Sequence, residues 1–354
     1  MRELKDYLDD IESRLDEQQE EQILNQWKKY VNGGWQEPYF IPSREKSESR
    51  IEWPEININD CLESDELMVI DQFAAVSHNI SRGFGGLLSV RPNFGVGTLP
   101  SLFGAPPFIM PREMNTLPNV KELPGGIDAI KDVVNAAVPD LNGGHGAGVF
   151  RIASLYKEIF EQYPLISKYI RTDHPDCQGP MDVSELLWGS DIFLALYDES
   201  DLVHSLLDKV SETYKAFLGK WFDLMPKKDS MNAFFGNAYL GAICIRDDSA
   251  MNLSPEMYKE FILPYDSALL THFKGGAIHS CGRVDHFIHL LGDIPDLHGF
   301  NLSQPEYNDM EVVFKNTVDK ALPLIGLQKD ATLTAHSGGR GLKGFVSIEQ
   351  NSSV

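Results

Sequence analysis

The chain has little positive charge. Lysine and arginine number 31 against 52 aspartates and glutamates in 354 residues, a net charge of -21. Nucleic acids and anionic lipid surfaces are gripped by basic faces, so neither is expected as a partner. Long apolar runs are also missing. No stretch approaches the ~18–20 residues that a spanning helix needs. Cysteine is sparse, and Cys61, Cys177, Cys244 and Cys281 lie far apart. That excludes a dense disulfide framework. The opening Met1-Arg2-Glu3-Leu4-Lys5-Asp6 has no signal-peptide core. A reduced, cytoplasmic setting is therefore expected. No Gly-x-Gly-x-x-Gly opens a helix after the first strand, and no phosphate-loop lysine motif occurs, which weakens nucleotide folds.

What is present is core and alternation. Hydrophobic residues make up 42% of the chain, enough for a large interior. Residues 2–31 read as one charged helix with an apolar stripe of Leu4, Tyr7, Leu8, Ile11, Leu15, Ile23 and Trp27. Gly33-Gly34 ends it, and it packs across the main body or forms a dimer contact. A helix is expected at 64–82 and a strand at 87–91. A proline-rich loop follows at 98–125, and loops of that length are often functional. Helices then fall at 127–137, 148–163, 181–187 and 201–225, with a short apolar segment at 165–170. Strands fall at 238–245, 276–280, 298–302 and 322–326, with helices at 283–291 and 309–320 between them. Strands alternating with helices mean parallel βα units. The division is 1–34 as N-terminal helix and 35–354 as a single (β/α)8 TIM barrel, with a doubly wound open sheet as the alternative.

Ionisable and amide residues gather where the strands end: Asp247, Asp248, His279, Cys281, Asn301 and Gln304. In a barrel those ends share one face, where active sites form. Side chains two apart on a strand point the same way. His279 and Cys281 in Gly275-Gly276-Ala277-Ile278-His279-Ser280-Cys281-Gly282 thus make half of a zinc site. The competing reading is that Cys281 is a small packing residue. Asp247 or Asp248 is a candidate proton donor or acceptor, or else a loop cap. Asn301 and Gln304 are candidates to orient a substrate.

Three stretches resemble the uroporphyrinogen decarboxylase superfamily. They are Gln178-Gly179-Pro180 through Leu186-Leu187-Trp188-Gly189 to Ile192-Phe193; Asp247-Asp248-Ser249-Ala250 with Leu253-Ser254-Pro255-Glu256-Met257-Tyr258 and Pro264; and His279-Ser280-Cys281-Gly282. The last is similar to the signature of the corrinoid methyltransferase branch. The resemblance implies a (β/α)8 barrel with its site at the C-terminal face. It also implies Zn2+ on His279 and Cys281, and methyl transfer between a small substrate or thiol and a corrinoid (cobalamin) carried by a partner protein. Two features depart from it. The Arg-Gln-Ala-Gly-Arg type motif that grips the carboxylates of uroporphyrinogen is missing, which counts against decarboxylase activity. No cysteine follows Cys281, so the third ligand is open among Glu349, Cys244, Asp247 and Asp248. The chain also stops soon after Ser347-Ile348-Glu349, where a last barrel helix is expected, so an atypical or truncated C-terminus is anticipated. A cofactor-free decarboxylase and a catalytically silent binding barrel stand as alternatives.

Overall fold

The structure, a computed structural model, describes residues 2–349. The N-terminal stripe is buried within the chain, but on two helices. Helix α1 (Leu4–Arg14) and α2 (Glu17–Val31) meet at Leu15-Asp16, where Asp16 leaves the helical conformation and its carboxylate accepts the Gln19 N–H at 2.8 Å. An Asp N-cap of this kind starts a new helix instead of continuing the old one. After α3 (Ile58–Glu63), α1 packs on α4 (Asp65–Arg82). The indole of Trp27 donates to the Gly85 carbonyl, and the buried Arg44 forks onto Glu20 at 2.6 and 2.7 Å.

Strand β1 (Ser89–Val90) follows, then the pair β2 (Pro107–Phe108) and β3 (Asn119–Val120) inside the proline-rich loop. Helices α5 (Ile127–Asn135) and α6 (Gly146–Gln162) lie where periodicity places them. The apolar segment at 165–170 is not a strand. It forms α7 (Pro164–Tyr169), because Glu12 of α1 reaches over and accepts both Leu165 N–H and Ile166 N–H at 2.9 Å. Two orphan donors are satisfied from a distant helix, which local pattern cannot reveal. Strand β4 (Arg171–Thr172) pairs parallel with β1. Helices α8 (Pro180–Trp188), α9 (Ile192–Asp198) and α10 (Ser200–Leu224) come next.

The strand expected at 238–245 is two strands. A hairpin of β5 (Met231–Phe234) and β6 (Asn237–Leu240) precedes Gly241, whose φ of +109° breaks the run before β7 (Ile243–Arg246). Helices α11 (Pro255–Phe261) and α12 (Leu263–His272) lead to β8 (Gly276–Ser280), β9 (Leu297–Leu302), the helix α13 (Met310–Asn316), β10 (Leu324–Leu327), α14 (Lys329–Ser337) and β11 (Val346–Ile348). The helix expected at 283–291 forms only as a 3-10 turn at Ile288–Asp293. The Asn308 carboxamide accepts the Val284 and Asp285 N–H groups at 2.8 and 3.1 Å from 24 and 23 residues away.

Strands β11-β10-β9-β8-β7 form a five-stranded parallel sheet in that order. Past β7 the pairing continues, since Gly179 N–H donates to the Arg246 carbonyl at 2.8 Å. At the other edge Phe40 bridges Ser347. The mixed α/β architecture with a parallel sheet is as expected; eight closed strands are not seen among the described residues. One sheet face, carrying Ile243, Ile245, Ile278 and Phe300, packs against helices. The other, carrying Cys244, Ala277 and Ile325, packs on the β5–β6 hairpin together with Trp27 and Tyr30 of α2. Among the described residues no helix is long and apolar enough to cross a membrane.

Candidate metal centre

The parallel register puts Arg246 beside His279 and His279 beside Asn301. Alternation along each strand then aims Asp248, His279, Cys281, Asn301 and Ser303 at the hairpin side of the sheet, beyond Cys244, Ala277 and Gly299. Three of these offer metal-binding atoms in one place. His279 Nε2 lies 3.4 Å from Cys281 Sγ and 3.7 Å from Asp248 Oδ1. All three donor atoms fall within 4.8 Å of one another. Two donors on a single tetrahedral zinc, at the usual Zn–N, Zn–S and Zn–O lengths, sit roughly 3.3–3.7 Å apart. The His–Cys and His–Asp separations match that spacing.

The surroundings fix the orientation of each donor. Asn301 Oδ1 lies 2.5 Å from His279 Nδ1, and the other end of the same amide donates to the Ile325 carbonyl at 2.5 Å. Nδ1 must therefore carry the proton, leaving the Nε2 lone pair facing Cys281 and Asp248. The Phe234 ring packs on the imidazole at 5.0 Å between centroids. Asp248 is held by backbone contacts. Its Oδ1 accepts the Cys281 N–H at 2.8 Å, and the carboxylate of Asp182 on α8 accepts the Asp248 and Ser249 N–H groups at 2.7 and 2.8 Å. Ser303 donates to Cys281 Sγ at 3.1 Å, and Gln304 accepts the Gly282 N–H at 2.7 Å.

Burial makes these groups reluctant to charge. It lowers the His279 imidazole, against the pull of the Asp248 carboxylate. It also raises the Cys281 thiol to about 11, with Asp248 adding to the shift. A neutral imidazole lone pair, a carboxylate oxygen and a sulfur converge with only the thiol proton between them. That cluster suits a cation, which would draw off the proton.

Other residues named from sequence lie elsewhere. Asp247 points to the opposite face of the sheet. It is buried against Gly179, and its partner is Asp266 of α12. The Asp247 carboxylate is outside the convergence. Cys244 lies two residues further down the strand from Arg246, buried, with its N–H bonded to His174 Nε2 at 2.9 Å. Glu349 turns away, accepting the Lys329 N–H at the start of α14. Asn301 and Gln304 have both found partners inside the protein, on His279 and on the turn after Cys281. Ser303 and Asp182 were not singled out from sequence. Ser303 stands two residues beyond Asn301, so the same alternation that pairs His279 with Cys281 could have found it. Asp182 gave no such signal.

A cleft of about 460 Å³ adjoins the group through Asp248. Glu122, Asp182 and Glu185 line it with Gln178, and Asn119 and Val120 of the proline-rich loop close one side. A parallel α/β sheet with polar donors at its strand ends belongs to the class of α/β proteins whose sites form at the carboxyl ends of strands. Residues 177–338 match the family model described as uroporphyrinogen decarboxylase (URO-D), over the motifs that carry the resemblance. No curated protein matches the sequence. The solved structure of a methyltransferase from Methanosarcina mazei aligns at a TM-score of 0.56 and 16% identity, covering 94% of each chain. At that identity the likeness is one of fold.

Proposed function

We propose that the protein is a zinc-dependent methyltransferase that moves a methyl group between a small substrate or thiol and a corrinoid held by a partner protein. The observation that carries this reading is the convergence of His279 Nε2, Cys281 Sγ and Asp248 Oδ1, with Asn301 setting the imidazole tautomer. In this reading Asp248 is the third ligand in place of a distant cysteine, and eight strands close into a (β/α)8 barrel. The fold shared with a methyltransferase supports it. Bound zinc would serve as a Lewis acid that favours thiolate over thiol or polarises a methyl-bearing heteroatom.

The protein residues do the rest. Asn301 holds Nε2 toward the metal position, Asp182 holds the Asp248 turn, and Ser303 supplies a hydrogen bond that tempers the sulfur's charge. Phe234 keeps water from the imidazole face. A second reading, a cofactor-free decarboxylase, takes its support from the family model's description. The acid-lined cleft argues against it, because Glu122, Glu185 and Asp248 repel a polycarboxylate.

The test is methyl transfer from methylcobalamin to a small thiol such as 2-mercaptoethanol, followed by loss of the methyl–cobalt absorbance. The zinc-loaded wild type should turn over, and His279→Ala should lose activity at least about a hundredfold. Equal rates for the two proteins would refute the assignment, and anaerobic decarboxylation of uroporphyrinogen would establish the second reading.

A further inference from the structure

The tip of the β5–β6 hairpin carries a residue that its own turn disfavours. Phe234 pairs with Asn237, so Phe235 and Gly236 are the two central turn residues, with φ of +46° and +75°. Positive φ at both positions is the hairpin turn that Asn-Gly or Gly-Gly holds with least strain, and a bulky aromatic is poorly suited to the first position. Such an outlier points towards function when folding offers no reason for it.

The ring of Phe235 is also not spent on the core. It is 51% exposed, while Phe234 beside it is 3% exposed. The two rings lie 4.5 Å apart, and Phe234 in turn packs on His279. Arg91 stands over the outer ring at 5.2 Å. The Leu87 N–H donates to the Gly236 carbonyl at 2.8 Å and anchors the tip. A half-exposed apolar ring, with Arg91 over it, is thus held one ring away from His279, at a cost in turn geometry.

We infer that Phe235 is a specificity-determining residue, the apolar wall against which the carbon body of the substrate packs while its heteroatom sits at the His279–Cys281–Asp248 group. This deepens the methyltransferase reading and rests on it. The ligand class is a small molecule with a heteroatom at one end and an apolar chain or ring behind it.

The test is calorimetric titration of the zinc-loaded full chain with straight alkanethiols from ethanethiol to hexanethiol. Wild type should bind about two- to fourfold more tightly for each added methylene, as expected when each is withdrawn from water. Phe235→Asn should flatten that gradient. It should also unfold at the same temperature as wild type or higher, since Asn suits the turn. Phe235→Tyr, which keeps the ring, should retain the gradient. A flat series in wild type, or the full gradient in Phe235→Asn, would overturn the inference. Cys281→Ser separates it from the reading beneath it. Thiol binding that survives Cys281→Ser with its gradient intact removes the metal from the account and keeps Phe235, whereas loss of zinc and of thiol binding together supports both.

Discussion

At the scale of single residues, the candidate site depends on which nitrogen of His279 faces Cys281 and Asp248. Asn301 decides this by accepting the Nδ1 proton at 2.5 Å while its own N–H2 is tied to Ile325. Removing the amide frees the ring to turn and its tautomer to exchange. Asn301→Ala should therefore weaken zinc binding about 10–100-fold, as loss of an outer partner to a ligating histidine commonly does. Competition with a chromogenic chelator measures this. Unchanged affinity would mean that Asn301 does not orient the ligand. The pair His279 and Cys281 was legible in the sequence, because two-residue spacing on a strand is enough to place both on one face. Sequence leaves four residues open for a third donor. Residue type marks Glu349, Cys244, Asp247 and Asp248 equally as donors, and only the fold shows that Asp248 turns toward the imidazole while Asp247 turns away.

At the scale of elements, the same alternation that excludes Asp247 from the site buries it between sheet and helices. Asp247 on the β7 end and Asp266 of α12 have no partners but each other among the described residues. Burial raises both, Asp266 to about 7, with the charge of Asp182 adding to the shift and the bond from Asp247 opposing it. A carboxyl with a raised folded pKa keeps its proton when the unfolded chain has lost it. Its contribution to stability is full below about pH 4 and is lost as pH rises toward about 7. Asp266→Asn removes that titration. Urea midpoints of the wild type should fall between pH 5 and pH 8, and those of Asp266→Asn should fall less. Parallel pH profiles would show that Asp266 does not hold a proton in the folded state.

Elements were legible where the signal is local. The strand at 276–280, the Ser-Pro-Glu start of α11 and the stripe of α10 all follow from spacing or capping within a few residues. Elements were hidden where distant groups decide. Glu12 caps α7 from another helix. The β5–β6 hairpin escaped notice because Phe-Gly is not a sequence signal for its turn.

At the scale of the molecule, α2, the hairpin and one face of the parallel sheet form one interior, while α1 packs into the other with the helices. The stripe of Ile23, Trp27 and Tyr30 is spent against the hairpin and the sheet. Part of the acidic balance seen in the composition lies at the candidate site, where Glu122, Glu185 and Asp248 line one cleft. A chain of net charge -21 raises the local concentration of cations and repels polycarboxylates. Both effects fit the proposed metal-assisted reaction better than decarboxylation of a polyanion.

The most direct test of that account is the zinc content of freshly purified protein, measured by atomic emission on wild type, Cys281→Ser and Asp248→Asn side by side. The wild type should hold about one zinc per chain. Cys281→Ser should lose that zinc, and Asp248→Asn should retain it more weakly. A wild type that stays free of zinc after loading, or a Cys281→Ser variant that keeps it, would contradict the assignment of His279, Cys281 and Asp248 as a metal centre.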